Sequence, residues 1–261
     1  MQYFVCSDTH GYHLEFLSGL YASGFDVNND NHKLIVCGDI CDGGIWFKEH
    51  LLSLYDLWKN GKAIILHGNH DYILIGFLKN LYSYDHFLND GLEETLSSLL
   101  DFEFSFEVFK RGFTNKSDSE IFSIWQSIVA KKIKKKYPFL LKFLSGLLHY
   151  FETEHYIFTH GAIDYQCSDW HSPTIQGNKC YGWVALHFVG PDYYRTFINS
   201  TGKTLVVGHL NADLMRFHLE GIASNGVYQQ NSIYYNEFLD VYFLDALTSY
   251  SRRVNFLVLN D

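Results

Sequence analysis

Five short runs of this chain gather residues that could hold metal ions: SDTHG at 7–11, GDICDGG at 38–44, HGNHD at 67–71, THGA at 159–162 and VGH at 207–209. Asp8 and His10 lie two residues apart. In extended backbone such residues point to the same side, so the two could grip one cation together. Asp39 offers two carboxylate oxygens that could bridge a pair of cations, Asn69 a neutral amide oxygen, and His160 and His209 imidazole nitrogens. A mixed nitrogen and oxygen donor set suits Mn, Fe or Zn better than Ca, and Mg only loosely. No cysteine stands at a ligand position, which disfavours a structural zinc site. Two adjacent divalent cations suit hydrolysis of a phosphate ester, because they bind both the attacking oxygen and the phosphoryl oxygens.

The elements that must position these residues are legible around them. Each run follows an apolar, strand-like stretch: YFVC, LIVC, AIIL, YIF and TLVV. Five strands that end in Asp, His and Asn can converge on one point. Strands are predicted over 2–6, 33–37 and 62–66, with helices over 12–22, near 47–60 and from about 70. This βαβαβ opening argues for a mostly parallel sheet, whose carboxyl edge is where ligands usually bind. Glycines at 11, 38, 68, 161 and 208 let the backbone turn sharply at that edge. From about 84 to 152 the pattern is helical, with Asp118 or Ser119 as a cap and Pro138 opening a third helix. This stretch reads as an insertion, lying over or beside the site, first as scaffold and alternatively as a substrate selector whose run Phe102, Phe104, Phe106, Phe109 and Phe113 could rim a pocket. Strands resume at 155–159 and 204–208. The tail reads as two antiparallel strands, VYFLDAL and RRVNFLVLN, closing a second sheet.

Composition narrows the class. The chain has 261 residues, 47% hydrophobic and 19% charged, with three Pro and no Pro/Gly/Ser-rich linker, which reads as one folded domain. The formal charge of −9 argues against a general nucleic-acid binder. Five cysteines (Cys6, Cys37, Cys41, Cys167, Cys180) lack metal-site pairing and read as small buried residues in a reducing compartment. The basic block KKIKKK at 131–136 reads as the solvated end of a helix. No signal peptide or membrane span is expected, so the protein is placed in the cytoplasm of a bacterium, a phage host or another cell. Of 14 histidines, His13, His32, His50, His86, His149, His155, His171, His187 and His218 read as ordinary surface or core residues. His10, His70, His160 and His209 stand apart because each follows an apolar strand within a glycine-containing turn.

In their order, these runs resemble the calcineurin-like metallophosphoesterases, and within them the phosphoprotein-phosphatase branch, which carries GDxHG, GDxxDRG, RGNHE, HG and GH. The resemblance is similar in extent to the whole chain and comes nearest to compact bacterial and phage Ser/Thr phosphatases. It implies an α/β fold: a four-layer sandwich of two mixed sheets flanked by helices. It implies that Asp8, His10 and Asp39 bind one metal and that Asp39, Asn69, His160 and His209 bind the other, with Mn the first choice. It further implies that a bridging hydroxide attacks phosphorus, that His70 protonates the leaving oxygen and that Asp42 orients His70. The residue types agree with this, since an alkoxide leaving group needs a proton and a His paired with a carboxylate can supply one.

Two departures bear on substrate. Gly43 and His67 stand where the branch carries arginines, which hold phosphoryl oxygens by bidentate bonds. His67 could serve in part if protonated, and Arg195, Arg216, Arg252 or Arg253 could be brought in by folding. The leading expectation is a Ser/Thr protein phosphatase acting on phosphorylated protein. The alternatives are a nucleotide-directed hydrolase (a dinucleoside tetraphosphate hydrolase or a phosphodiesterase), which the GNHD run favours, and a non-catalytic binding protein on the same fold. No stable nucleic-acid or membrane partner is expected.

Overall fold

The computed structural model describes residues 1–84, 91–103, 105–167, 169–172, 182–221 and 231–261. The expectations for His86, Phe104 and Cys180 concern residues outside these ranges. Nine strands are present among the described residues, in two sheets. The first has the order β3-β2-β1-β9, with β1 Gln2–Cys6, β2 His32–Val36, β3 Ala63–Ile65 and β9 Leu257–Asn260. The second has the order β4-β5-β6-β8-β7, with β4 Tyr150–Glu152, β5 Tyr156–Thr159, β6 Thr204–Val207, β7 Tyr234–Asn236 and β8 Val241–Phe243. Strands β1, β2 and β3 run parallel, as do β5, β6 and β8; β9, β4 and β7 pair antiparallel at the flanks.

Side-chain alternation builds the layers. Successive residues of a strand face opposite sides of the sheet. In β2, Leu34 and Val36 join a core shared with the helices α1 (His13–Ala22), α2 (Phe47–Lys59) and α3 (Asn69–Leu78), while Ile35 faces the other way. In β6, Leu205 and Val207 face an outer core containing Tyr194 and Met215, while Val206 faces inward. Val5, Ile35, Phe158, Val206 and Leu244 then meet between the sheets. The strands buried on both faces read as continuous apolar runs, as sheets covered on both sides require. The result is the expected helix–sheet–sheet–helix sandwich.

The insertion is helical over Leu92–Leu100, Phe106–Lys110, Asp118–Lys136 and Leu140–Leu144. It extends the first core: Trp125 and Phe122 are buried against Phe77 of α3, with ring centroids 5.6 and 6.4 Å away. Phe106 is buried in the same core and Phe109 and Phe113 pack against it, so these rings are packing residues, while Phe102 stays exposed.

Three local expectations change. The cap of helix Asp118–Lys136 is Ser117, whose hydroxyl accepts from Glu120 N while Glu120 accepts from Ser117 N, a capping box. The helix after Pro138 begins at Leu140 and ends at Leu144, and β4 follows within the stretch expected to lack strands. The tail strands do not pair with each other: β8 lies beside β6, and β9 pairs with β1 in the other sheet. The lysine block forms the exposed last turns of helix Asp118–Lys136, as expected, with Lys134 Nζ also donating to Leu78 O at 2.9 Å and Lys136 Nζ to Leu99 O at 2.8 Å. No helix among the described residues is long and apolar enough to cross a membrane.

If the insertion is part of the core, Trp125→Ala should cost about 3–5 kcal/mol of stability, as large aromatic truncations do. Urea denaturation checks this; a loss under about 1 kcal/mol would mark the insertion as packed only loosely on the sandwich.

Candidate metal centre

The carboxyl ends of β1, β2, β3, β5 and β6 open toward one edge of the sandwich, and each delivers part of the site. Asp8 and His10 follow β1, Asp39 follows β2, Asn69 and His70 begin α3 after β3, His160 directly follows β5, and His209 lies two residues past β6. Asp8, His10, Asp39, Asp42 and His209 all adopt positive φ, from 45° to 72°. Such backbone costs of order 1 kcal/mol or more per residue and persists where the surroundings over-determine it. Two glycines are required by close approach. A Cβ on Gly68 would stand 2.1 Å from Asp39 Oδ1, and one on Gly208 2.3 Å from Asp8 Oδ2.

The side chains meet around Asp39. Its Oδ2 lies 3.4 Å from His160 Nε2 and 4.0 Å from His10 Nε2, and its Oδ1 accepts from His70 N at 2.9 Å. Asn69 Oδ1 is 2.9 Å from His160 Nε2, and Asp8 Oδ1 is 4.0 Å from His10 Nε2. Asp8 Oδ2 accepts from His209 N at 2.9 Å. Donor atoms of Asp39, His160 and His209 lie within 4.8 Å of one another, as do those of His10, Asp39 and His70. Asp39 belongs to both groups, the position a bridging carboxylate needs.

The imidazoles are set for ligation by backbone carbonyls. A carbonyl only accepts, so the facing ring nitrogen must donate. His10 Nδ1 donates to Cys41 O at 2.8 Å, His160 Nδ1 to Cys37 O at 2.8 Å, and His209 Nε2 to Val189 O at 3.0 Å. Each ring therefore turns its other nitrogen toward the cluster, as metal-ligating histidines do.

Charge points the same way. Asp8, Asp39, Asp42, Asp71 and Asp245 are all buried, and the ion pairs of Asp8, Asp39 and Asp42 are made with histidines alone. Burial would raise the Asp39 carboxyl, but His160, His70 and His10 outweigh it and hold it below the usual carboxylate range. Burial would lower His160, yet the carboxylates of Asp39 and Asp8 push it up to about 10. Burial raises the carboxyls of Asp8, Asp42, Asp71 and Asp245, so keeping this group ionised calls for cations, and these donors fit divalent ones. When bound, such ions supply an activated water and neutralise phosphoryl oxygens.

Beside the cluster, His70 Nδ1 and Asp42 Oδ2 are 3.0 Å apart. Burial would lower His70, but the Asp42 hydrogen bond and the charges of Asp39, Asp42 and Asp71 raise it to about 9. With Nδ1 on Asp42, the protonated ring has Nε2 left to donate. Asp42 N in turn donates to Thr95 Oγ1 at 2.9 Å, which ties the insertion to this pair.

Three residues read as ordinary, or not singled out at all, border the site. Asp245, two residues past β8, is buried, and burial together with Asp8 raises its carboxyl well above the usual range. Asp71 accepts from Gly68 N, Asp39 N and Ile40 N at 2.8–3.2 Å and so clamps the β2 and β3 turns together. His187 is buried 5.8 Å from the His160 ring, with neither ring nitrogen hydrogen-bonded. It closes a stack with His149, Trp183, Tyr72 and His67. His67 is buried in that stack, and burial, then His149, lowers it to about 4. It is neutral near pH 7, so it brings no cationic clamp. Of the arginines, Arg195 bonds His218 and Arg216 pairs with Asp213, while Arg252 lies over Tyr12, near Gly43.

The chain belongs to the calcineurin-like phosphoesterases, whose family model matches residues 1–213. It is therefore a hydrolase of phosphoester bonds that uses divalent metal. Its fold is similar to that of a candidate diadenosine tetraphosphatase (15% identity, TM-score 0.52, covering 99% of this chain and 89% of the other). It is also similar to a protein serine/threonine phosphatase from Saccharomyces cerevisiae with similarity to human phosphatase PP5 (15%, 0.53, 93% and 66%). A third likeness is to a cold-active protein-tyrosine phosphatase of a psychrophilic Shewanella species (16%, 0.55, 100% and 75%). No curated protein sequence matches the chain significantly.

Gly68→Ala removes no donor but drives a methyl into Asp39. It should weaken Mn²⁺ binding about 10–100-fold, the usual size of outer-shell effects on a metal site. Calorimetric titration reads this out; unchanged affinity would show that Asp39 does not need its present position.

Proposed function

We propose that the protein is a phosphomonoesterase acting on phosphoserine or phosphothreonine in proteins. In this reading Asp8, His10 and Asp39 hold one divalent cation and Asp39, Asn69, His160 and His209 a second, with Mn the first choice for both. His70 is the general acid and Asp42 its orienting carboxylate. The observation that carries the reading is the His70–Asp42 pair, 3.0 Å apart and joined to Asp39 through His70 N. A protonated imidazole is needed where the leaving group is an alkoxide, as from serine or threonine. A phosphoanhydride releases a phosphate that is already a stable anion and needs no such donor. That difference favours an ester substrate over a dinucleoside polyphosphate.

The second reading, a nucleotide-directed hydrolase, draws on the ring stack. His149 and Trp183 lie nearly coplanar in orientation, 2° apart, with centroids 5.6 Å apart, and such faces suit a nucleobase. His67, read as a substrate contact, would then serve as a neutral wall of that stack. Turnover of a phosphopeptide, diadenosine tetraphosphate and a cyclic nucleotide by the Mn²⁺-loaded protein separates the readings. Highest kcat/KM on the phosphopeptide is expected, and preference for either nucleotide would transfer the assignment.

His70→Asn should lower kcat on a phosphoserine peptide about 10²–10⁴-fold, the contribution of a positioned acid. On p-nitrophenyl phosphate, whose leaving group needs little protonation, the loss should be far smaller. Equal losses on both would remove His70 from the acid role. Asp39→Asn should abolish turnover of both substrates and leave less than the wild-type metal content.

A further inference from the structure

A cleft of about 210 Å³ is lined by Gly11, Tyr12, Glu15, Gly43, Gly44 and Arg252, among others. Its walls continue the site segments, since Gly11 and Tyr12 follow His10, and Gly43 and Gly44 follow Asp42. Gly44 N donates to His10 O at 2.6 Å, which fixes the two walls to each other. The guanidinium carbon of Arg252 stands 5.1 Å from the centre of the Tyr12 ring. The short helix Thr248–Ser251 carries that arginine: Arg252 N donates to Thr248 O at 3.0 Å, and Thr248 Oγ1 donates to Asp8 O at 3.0 Å. One bonded path thus sets the Arg252 backbone against a candidate metal ligand.

The guanidinium is held without being neutralised. Tyr12 offers a ring face, which positions a cation and leaves its charge intact. The pair with Glu15 is long, 3.9 Å, and Arg252 is 64% exposed, so that contact contributes little. The substrate of a phosphoesterase is an anion, and the candidate site whose His10 and Asp42 adjoin these walls in sequence is built from buried carboxylates and histidines. A planar guanidinium matches two phosphoryl oxygens at once, which an ammonium does not.

We infer that Arg252, seated on Tyr12, is the residue of this chain that recognises the substrate's phosphoryl group. The inference rests on the phosphomonoesterase reading above.

The test uses p-nitrophenyl phosphate, which has one anionic group, and inorganic phosphate as inhibitor, with the intact Mn²⁺-loaded protein. Arg252→Gln should raise KM and the phosphate inhibition constant about tenfold while kcat stays within about threefold, the signature of a lost charged hydrogen bond in binding. Arg252→Lys should recover part of the loss. Tyr12→Leu, which removes the platform and keeps the charge, should give an intermediate rise. Calorimetric binding of phosphate should weaken in the same order, and an unchanged denaturation midpoint shows that each variant folds. Unaltered KM and phosphate inhibition in Arg252→Gln overturns the inference. So does a defect confined to phosphopeptides with acidic flanks, which would place the guanidinium on the flank. A wild-type protein that cleaves p-nitrophenyl phosphate but no phosphopeptide overturns the protein-phosphatase reading instead, and leaves the Arg252 comparison intact.

Discussion

The structure turns on one buried carboxylate. Asp39 lies at the seam where the ends of both sheets meet, almost out of reach of water. An isolated carboxylate there would be too costly to keep ionised. It is kept so by the histidines His160, His10 and His70 and by the backbone N–H of His70. Its own backbone is fixed in turn by Asp71, which binds the N–H groups of Asp39, Ile40 and Gly68. The absence of a side chain at Gly68 makes room for the carboxylate itself. Residues that never touch a cation thus determine where one could be held.

The sandwich explains why the donors arrive together. In each sheet the site-bearing strands run parallel, so their ends emerge on one edge. The inward residues Val5, Ile35, Phe158 and Val206 lock the two sheets face to face, which brings those edges into register. The hydrogen bond from His209 N to Asp8 Oδ2 crosses that seam directly. Packing and chemistry are therefore coupled: a shift of one sheet against the other would separate the donor groups before it opened the core.

Much of this was legible in the chain because the signals are local. An apolar run of four or five residues, a glycine turn and a polar donor identify the ends of β1, β2, β3, β5 and β6 to within about two residues. Ser117 and Glu120 spell a capping box, so that helix start is also present in the sequence, one or two residues before the expected caps Asp118 and Ser119. Asp245 follows β8 at the same two-residue distance as His209 follows β6, but no glycine marks its turn. The stack of His67, Tyr72, His149, Trp183 and His187 joins three separate stretches of the chain, at 67–72, 149 and 183–187. Nothing local announces it, and its histidines look ordinary one at a time. The same holds for β9, whose partner is the opposite end of the molecule.

That last pairing has a consequence for how the protein comes into being. Gln2 to Val5 are bonded to Leu257 to Asn260, so the outer edge of β1 stays uncovered until β9, far later in the chain, has been made. Contacts so distant in sequence slow folding and leave strand edges open meanwhile. His209 likewise emerges some two hundred residues after Asp8. A chain that stopped before β6 would have the early histidines and aspartates without the second sheet that unites them with His209.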